Sequence, residues 1–109
     1  MSEDDLPEWK KMEKKVCKKE NMEHIGGSGK PDCIDLKDLD NIVEVKTYNR
    51  SFNSHDLKTL TEKDWVKGKK LTINVINSCT KHAIELAEKN PNVTLKCNVK
   101  KELEEIGLE

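Results

Sequence analysis

Residues 69–98, KKLTINVINSCTKHAIELAEKNPNVTLKCN, constrain the fold more than any other part of the chain. KKLTINVINS is β-prone, with Leu71, Ile73 and Val75 alternating onto one face. Thr80 then stands where a cap belongs for KHAIELAEKN, whose Ala83, Ile84 and Ala87 form a small apolar stripe before Pro91 ends the helix. NVTLKCNV reads as strand again. Strand, helix and strand in so short a span favour a mixed sheet covered by helices.

The upstream residues extend that frame. The spacing of Trp9, Met12 and Val16, with Cys17 beside it, predicts a helix from Pro7 to about Asn21, with Pro7 in its first turn. Residues 22–31 contain GGSGKP and read as a loop. CIDLKD alternates and NIVEVKTY is β-branched, which predicts a hairpin of two short strands joined around Asp38 to Asn41. SHDLKTLTEKDWVKG predicts a helix capped by Ser54, carrying Leu57, Leu60, Trp65 and Val66, and stopped at Gly68. The tail KKELEEIGLE predicts a short amphipathic helix through Leu103, Ile106 and Leu108. The expected order is α-β-β-α-β-α-β-α, an α/β fold.

A chain of 109 residues holds one core, so residues 1–109 are expected to form one domain, with an acidic, flexible N-terminus at residues 1–6. Its 20 basic and 21 acidic residues exclude a global basic field, although six lysines between residues 9 and 22 make either a local basic face or a solvated helix surface. No apolar run approaches the roughly 20 residues of a membrane span, and the start lacks a secretory pattern, so a soluble, intracellular protein is expected, cytoplasmic or nuclear. Cys17, Cys33, Cys79 and Cys97 are widely spaced without a CxxC pair and read as reduced thiols rather than zinc ligands.

The chemistry concentrates in GGSGKPDCIDLKDLDNIVEVK, residues 26–46. Its glycines are not a phosphate loop, because Gly29 and Lys30 are followed by Pro31 and a strand rather than by a helix. Alternation sends Glu44 and Lys46 to one strand face and Val43 and Val45 to the other. Asp32 shares the parity of Ile34 and Leu36, so Asp32, Glu44 and Lys46 converge on one layer. Two nearby carboxylates repel each other and favour a divalent cation, and oxygen ligands suit Mg2+ or Mn2+. The simpler alternative is an edge strand with a Glu/Lys surface pair.

Pro31-Asp32 followed by Glu44-Val45-Lys46 resembles the signature of the PD-(D/E)xK, restriction-endonuclease-like nucleases. The order of elements over about residues 12–97 is similar to Mrr-like restriction endonucleases and, more distantly, to archaeal Holliday-junction resolvases. The resemblance implies a restriction-endonuclease-like mixed sheet flanked by helices and a Mg2+-dependent endonuclease (or one using Mn2+) that hydrolyses DNA, branched or modified DNA included. It also implies roles: Asp32, Glu44 and the Val45 carbonyl hold the metal, Lys46 assists the nucleophile, and a first-helix glutamate, Glu13 or as second choice Glu20, completes the site. Asp35 is the alternative aspartate, and Asp32 is preferred because its 12-residue spacing to Glu44 suits a hairpin.

Around this site, Lys30, Tyr48, Arg50 and Lys58 are candidate nucleic-acid contacts. His24 and His55 flank it and are expected at the surface, and Trp9 and Trp65 are expected to be packed or to face a partner. A homodimer would let so small a nuclease cut both strands. The readings left open are a catalytically silent nucleic-acid-binding or protein-interaction module and an RNA-processing nuclease.

Overall fold

The computed structural model describes residues 6–26 and 29–106. Its elements are α1 (Glu8–Lys19), β1 (Glu23–His24), β2 (Cys33–Asp35), β3 (Asp38–Lys46), α2 (Ser54–Thr61), β4 (Lys70–Val75), α3 (Lys81–Glu88), β5 (Val93–Lys96) and α4 (Lys100–Glu104). The five strands lie side by side in chain order; β1, β2 and β3 pair antiparallel, and β3, β4 and β5 pair parallel. β3 is therefore central, with a hairpin partner on one side and a helical crossover to its neighbour on the other. The chain is thus mixed α/β, a five-stranded mixed sheet flanked by helices, with one short strand, β1, more than the spacing predicts.

Each sheet face carries its own core. Ile42 of β3 and Leu71, Ile73 and Val75 of β4 pack with Phe52, with Leu57 and Leu60 of α2, and with Ala83 and Ala87 of α3. On the other face, Val43 and Val45 pack with Met12, Val16 and Cys17 of α1 and with Leu103 of α4. The period-2 alternation of β3 produces this division, since neighbouring side chains on a strand point to opposite faces. Glu44 falls on the α2–α3 side by the same rule.

Several boundaries move from their expected places. The β2–β3 turn is made by Leu36 and Lys37, earlier than Asp38 to Asn41. Two aspartates close it locally: Asp35 Oδ1 accepts the Lys37 N–H at 2.9 Å and Asp38 Oδ1 accepts that of Asp40 at 3.1 Å. Leu36 is left 69% exposed instead of joining the apolar layer. The second helix ends at Thr61, leaving Trp65 and Val66 in the turns that follow, because TEKD offers no apolar residue to continue the stripe. Trp9 leaves the α1 stripe for solvent, and Ile84 leaves that of α3. Leu108 and most of the acidic N-terminus, residues 1–5, lie outside the described residues.

The cap of α2 is Asn53 rather than Ser54. Asn53 Oδ1 accepts the Asp56 N–H and Asp56 Oδ2 accepts the Asn53 N–H, both at 2.9 Å, a reciprocal capping box. Asn53→Ala is expected to cost about 1 kcal/mol, read as a lower urea midpoint at unchanged slope. An unmoved midpoint would show that the cap contributes nothing.

The cysteines form two disulfides, correcting the expectation of reduced thiols: Cys17–Cys33 ties α1 to β2, and Cys79–Cys97 ties the segment before α3 to the residue after β5. The partners are 16 and 18 residues apart in sequence and meet only because packing brings their Cα atoms to 5.5 and 5.9 Å. Among the described residues, no helix is long and apolar enough to cross a membrane.

Candidate functional site

Asp32 precedes the first residue of β2, at the end of the sheet where β3 finishes. Cys33 pairs with Val43, so Asp32 stands opposite Glu44. Hydrogen bonds from three parts of the chain hold it. Its N–H donates to Glu44 Oε1 at 3.1 Å, its Oδ2 accepts the Val45 N–H at 2.7 Å, and its carbonyl accepts the Ile25 N–H at 3.0 Å. The chain reaches this position through Gly26, whose φ of +60° is a left-handed conformation that glycine adopts without a steric penalty.

Glu44 and Lys46 share the face of β3 toward Asp32. Glu44 Oε2 lies 3.5 Å from Lys46 Nζ, with side-chain exposures of 8% and 23%. Both carboxyl groups are held above their ordinary range. For Asp32 the causes are burial first and then the charge of Glu13, working against the Val45 N–H and Lys46. Glu44 is pushed up to about 7 by burial and by Asp32, against the pull of Lys46. When both carboxyls are ionised beside one ammonium, the site carries an excess of negative charge, which a divalent cation would relieve.

The main chain adds a further donor. Along a strand, successive residues turn their N–H and C=O groups to alternate sides. Lys46 turns toward β4, where its carbonyl accepts the Ile76 N–H. Val45 turns the other way, toward Asp32, and its carbonyl follows its N–H to the side where β2 has ended. Asp32, Glu44 and the Val45 carbonyl thus bring oxygen atoms, the donor type that hard divalent cations take, to one end of the central strand. Side chains alone do not make such a site: among the described residues, no group of three or more His, Cys, Asp or Glu could hold a metal ion.

The other candidate residues fall into distinct places. Glu13, on α1, reaches the rim of this site, where its charge acts on Asp32. Glu20 does not; its Oε1 pairs with Lys96 Nζ at 2.8 Å across the sheet. Asp35 lies at the far end of β2, on the turn. Arg50 is engaged within the chain: its two terminal nitrogens lie 2.6 and 2.9 Å from the Asp56 oxygens, and this fork holds the Asp56 carboxyl down at about 2. Arg50 also covers the Tyr48 ring at 4.4 Å, and Lys46 Nζ lies 5.9 Å from the same ring. Lys30 and Lys58 are exposed.

His24 is the residue that sequence reasoning misplaced. It was expected at the surface; instead its side chain is 18% exposed and its Nε2 lies 3.1 Å from Glu13 Oε1. The missed signal is β1 itself, a two-residue strand too short to show a pattern. An open cleft of about 820 Å³ lies alongside, lined by His24, Lys14, Lys37, Glu20, Glu23 and Asp35 among others; Asp32, Glu44 and Lys46 are not in its wall.

Comparison of the chain with family models, with curated proteins and with solved structures gives no match.

Proposed function

We propose that this chain is a metal-dependent nuclease of the restriction-endonuclease-like type, hydrolysing DNA phosphodiester bonds at Asp32, Glu44 and Lys46. The observation that carries this reading is the meeting of a buried carboxyl (Glu44), a half-buried one (Asp32), a turned-out carbonyl and one ammonium at the end of the central strand. Asp32, Glu44 and the Val45 carbonyl would hold Mg2+ or Mn2+. A cation bound there supplies Lewis acidity and lowers the pKa of water toward neutrality.

The chain's own residues account for the rest. Lys46, kept beside Glu44, places positive charge where a phosphate gains negative charge during in-line displacement. The Val45 N–H fixes the Asp32 carboxylate, and the Asp32 N–H fixes Glu44, so neither needs to reorganise on binding. The Tyr48 ring lies 5.9 Å from the Lys46 ammonium, at the outer range of a cation–π contact. Lys30 and Lys58 supply exposed phosphate contacts, and a symmetric pair of domains would serve both strands. The two disulfides point to an oxidising compartment or to a cell interior that preserves cystines, as in hyperthermophiles.

The test is incubation of the purified chain with supercoiled, linear and branched DNA, and with RNA, in Mg2+ or Mn2+ and in chelator. The expected result is metal-dependent DNA cleavage that Asp32→Ala abolishes. Cleavage of RNA alone would move the substrate class. DNA retention in gel shift with no cleavage in any metal would assign the fold to a binding module.

A further inference from the structure

We propose that Trp9 is a stacking platform for an unpaired nucleobase beside the candidate site, so that the DNA taken there carries a base out of its duplex. The inference rests on the nuclease reading above and adds to it the form of the substrate. Trp9 keeps the spacing of the inward stripe of α1, one turn before Glu13 and two before Val16. Val16 is fully buried and the Glu13 side chain is largely enclosed, yet Trp9 is 52% exposed. The ring therefore starts from the helix face that meets the sheet and is still half uncovered.

The reason is where α1 begins. Cys17 is joined to Cys33, and one turn earlier Glu13 Oε1 meets His24 Nε2 at 3.1 Å and lies 3.9 Å from where a Cβ on Gly26 would stand. Stepping back along α1 therefore leads forward along β1, about 5.4 Å per turn, toward the end of the sheet where β3 finishes. His24 is the last residue of β1, so Trp9, a further turn back, stands beyond the strand. The stripe has outrun the sheet that covers it, and its outermost member is left at the end that holds Asp32.

A second large apolar side chain is exposed at the same end. Ile25 is 41% exposed, and its N–H donates to the Asp32 carbonyl at 3.0 Å. By contrast, the exposed Leu36 and Leu39 lie at the β2–β3 turn, the far end of the sheet. Lys30, also exposed, stands two residues before Asp32 and places a cation beside this apolar surface. A nucleotide answers both features, since its phosphate takes the ammonium and its base offers a flat face to the ring. Within a duplex both faces of a base are covered by its neighbours, so the indole reaches only a base that has left the stack.

Fluorescence anisotropy in chelator tests this, with a labelled oligothymidylate single strand and a blunt duplex of the same length, on wild type, Trp9→Ala, Trp9→Leu and Trp9→Phe, each checked for folding by thermal melting. Loss of one base-stacking ring costs about 5- to 150-fold in affinity, so Trp9→Ala and Trp9→Leu should weaken single-strand binding by that factor and leave duplex binding unchanged. Trp9→Phe, which keeps a ring, should recover most of the loss. In a Trp65→Phe background the single strand should quench the emission of Trp9, and the duplex should not. Single-strand binding that Trp9→Ala leaves unchanged, or an equal loss for both DNA forms, would overturn this proposal alone. So would a dimer in sedimentation equilibrium that Trp9→Ala dissociates without changing single-strand affinity, which would give the ring to a second copy of the chain. Ring-dependent binding of the single strand with no cleavage in Mg2+ or Mn2+ would overturn the nuclease reading and keep the stacking contact. Absence of binding to either DNA form by the wild type would overturn both.

Discussion

Lys46→Ala is expected to slow Mg2+-dependent cleavage by about 10²- to 10³-fold, the usual cost of removing one preorganised group that stabilises transition-state charge. The side chain is 23% exposed and its Nζ lies 3.5 Å from Glu44 Oε2, so its charge acts in a partly water-excluded place. Removal has a second effect. Lys46 lowers the proton affinity of both Asp32 and Glu44, so the variant should hold its carboxyl protons to higher pH and bind metal less well at neutrality. Single-turnover rates at saturating Mn2+ separate the two effects, because saturation removes the binding defect and leaves the chemical one. A variant as fast as wild type under saturation would exclude Lys46 from the chemistry. Lys46→Arg should fall between, since a guanidinium keeps the charge and loses the compact ammonium.

The second large effect concerns stability and pH. Glu44 has an ordinary pKa of 4.5 and is pushed up to about 7 in the fold. Between those values the folded chain keeps a proton that the unfolded chain has released, so unfolding becomes easier as pH rises. The stabilisation is fully present below 4.5 and is lost as pH climbs through 7, an effect on the order of 3 kcal/mol. Asp32 is shifted in the same direction. Asp56 is the opposite case: lowered from 3.8 to about 2, it stabilises above its ordinary value and loses that contribution only as pH falls through about 2, outside this window.

Glu44→Gln isolates the effect. In chelator, the variant should match wild type near pH 5 and exceed it near pH 8, because its amide has no charge to bury. Adding Mn2+ at pH 8 should raise the melting temperature of wild type and leave the variant unmoved, since only the folded carboxylate form binds the cation. Parallel pH–stability curves for the two proteins would show that Glu44 ionises in the fold without penalty.

Much of this architecture is written locally. The alternation in NIVEVK sends Val43 and Val45 to one core and Glu44 to the other face, and the α1/α4 core is built on those two valines. KLTINV, Thr80 and the following apolar stripe give β4 and α3 in their expected places. These features depend on neighbours in sequence, through the periods of strand and helix and through one capping hydroxyl. Where the local reading fell a residue or two from the observed position, side-chain hydrogen bonds set the place. Asn53 displaced Ser54 as a cap because Asp56 lay at the position that reciprocates, and two aspartates drew the β2–β3 turn forward.

By itself the sequence determined which residues are the candidates for chemistry: an aspartate before one strand, and a glutamate and lysine two apart on the next. Only the tertiary structure decided what surrounds them. It placed Glu13, from the opposite side of the sheet, against His24 on a strand of two residues; it removed Glu20 to Lys96 and Arg50 to Asp56; and it paired four cysteines that the chain keeps 16 and 18 residues apart. Strand parity is a property of neighbouring residues and can be read along a line. Which distant side chains meet depends on how helices seat on a twisted sheet, and no local period encodes that.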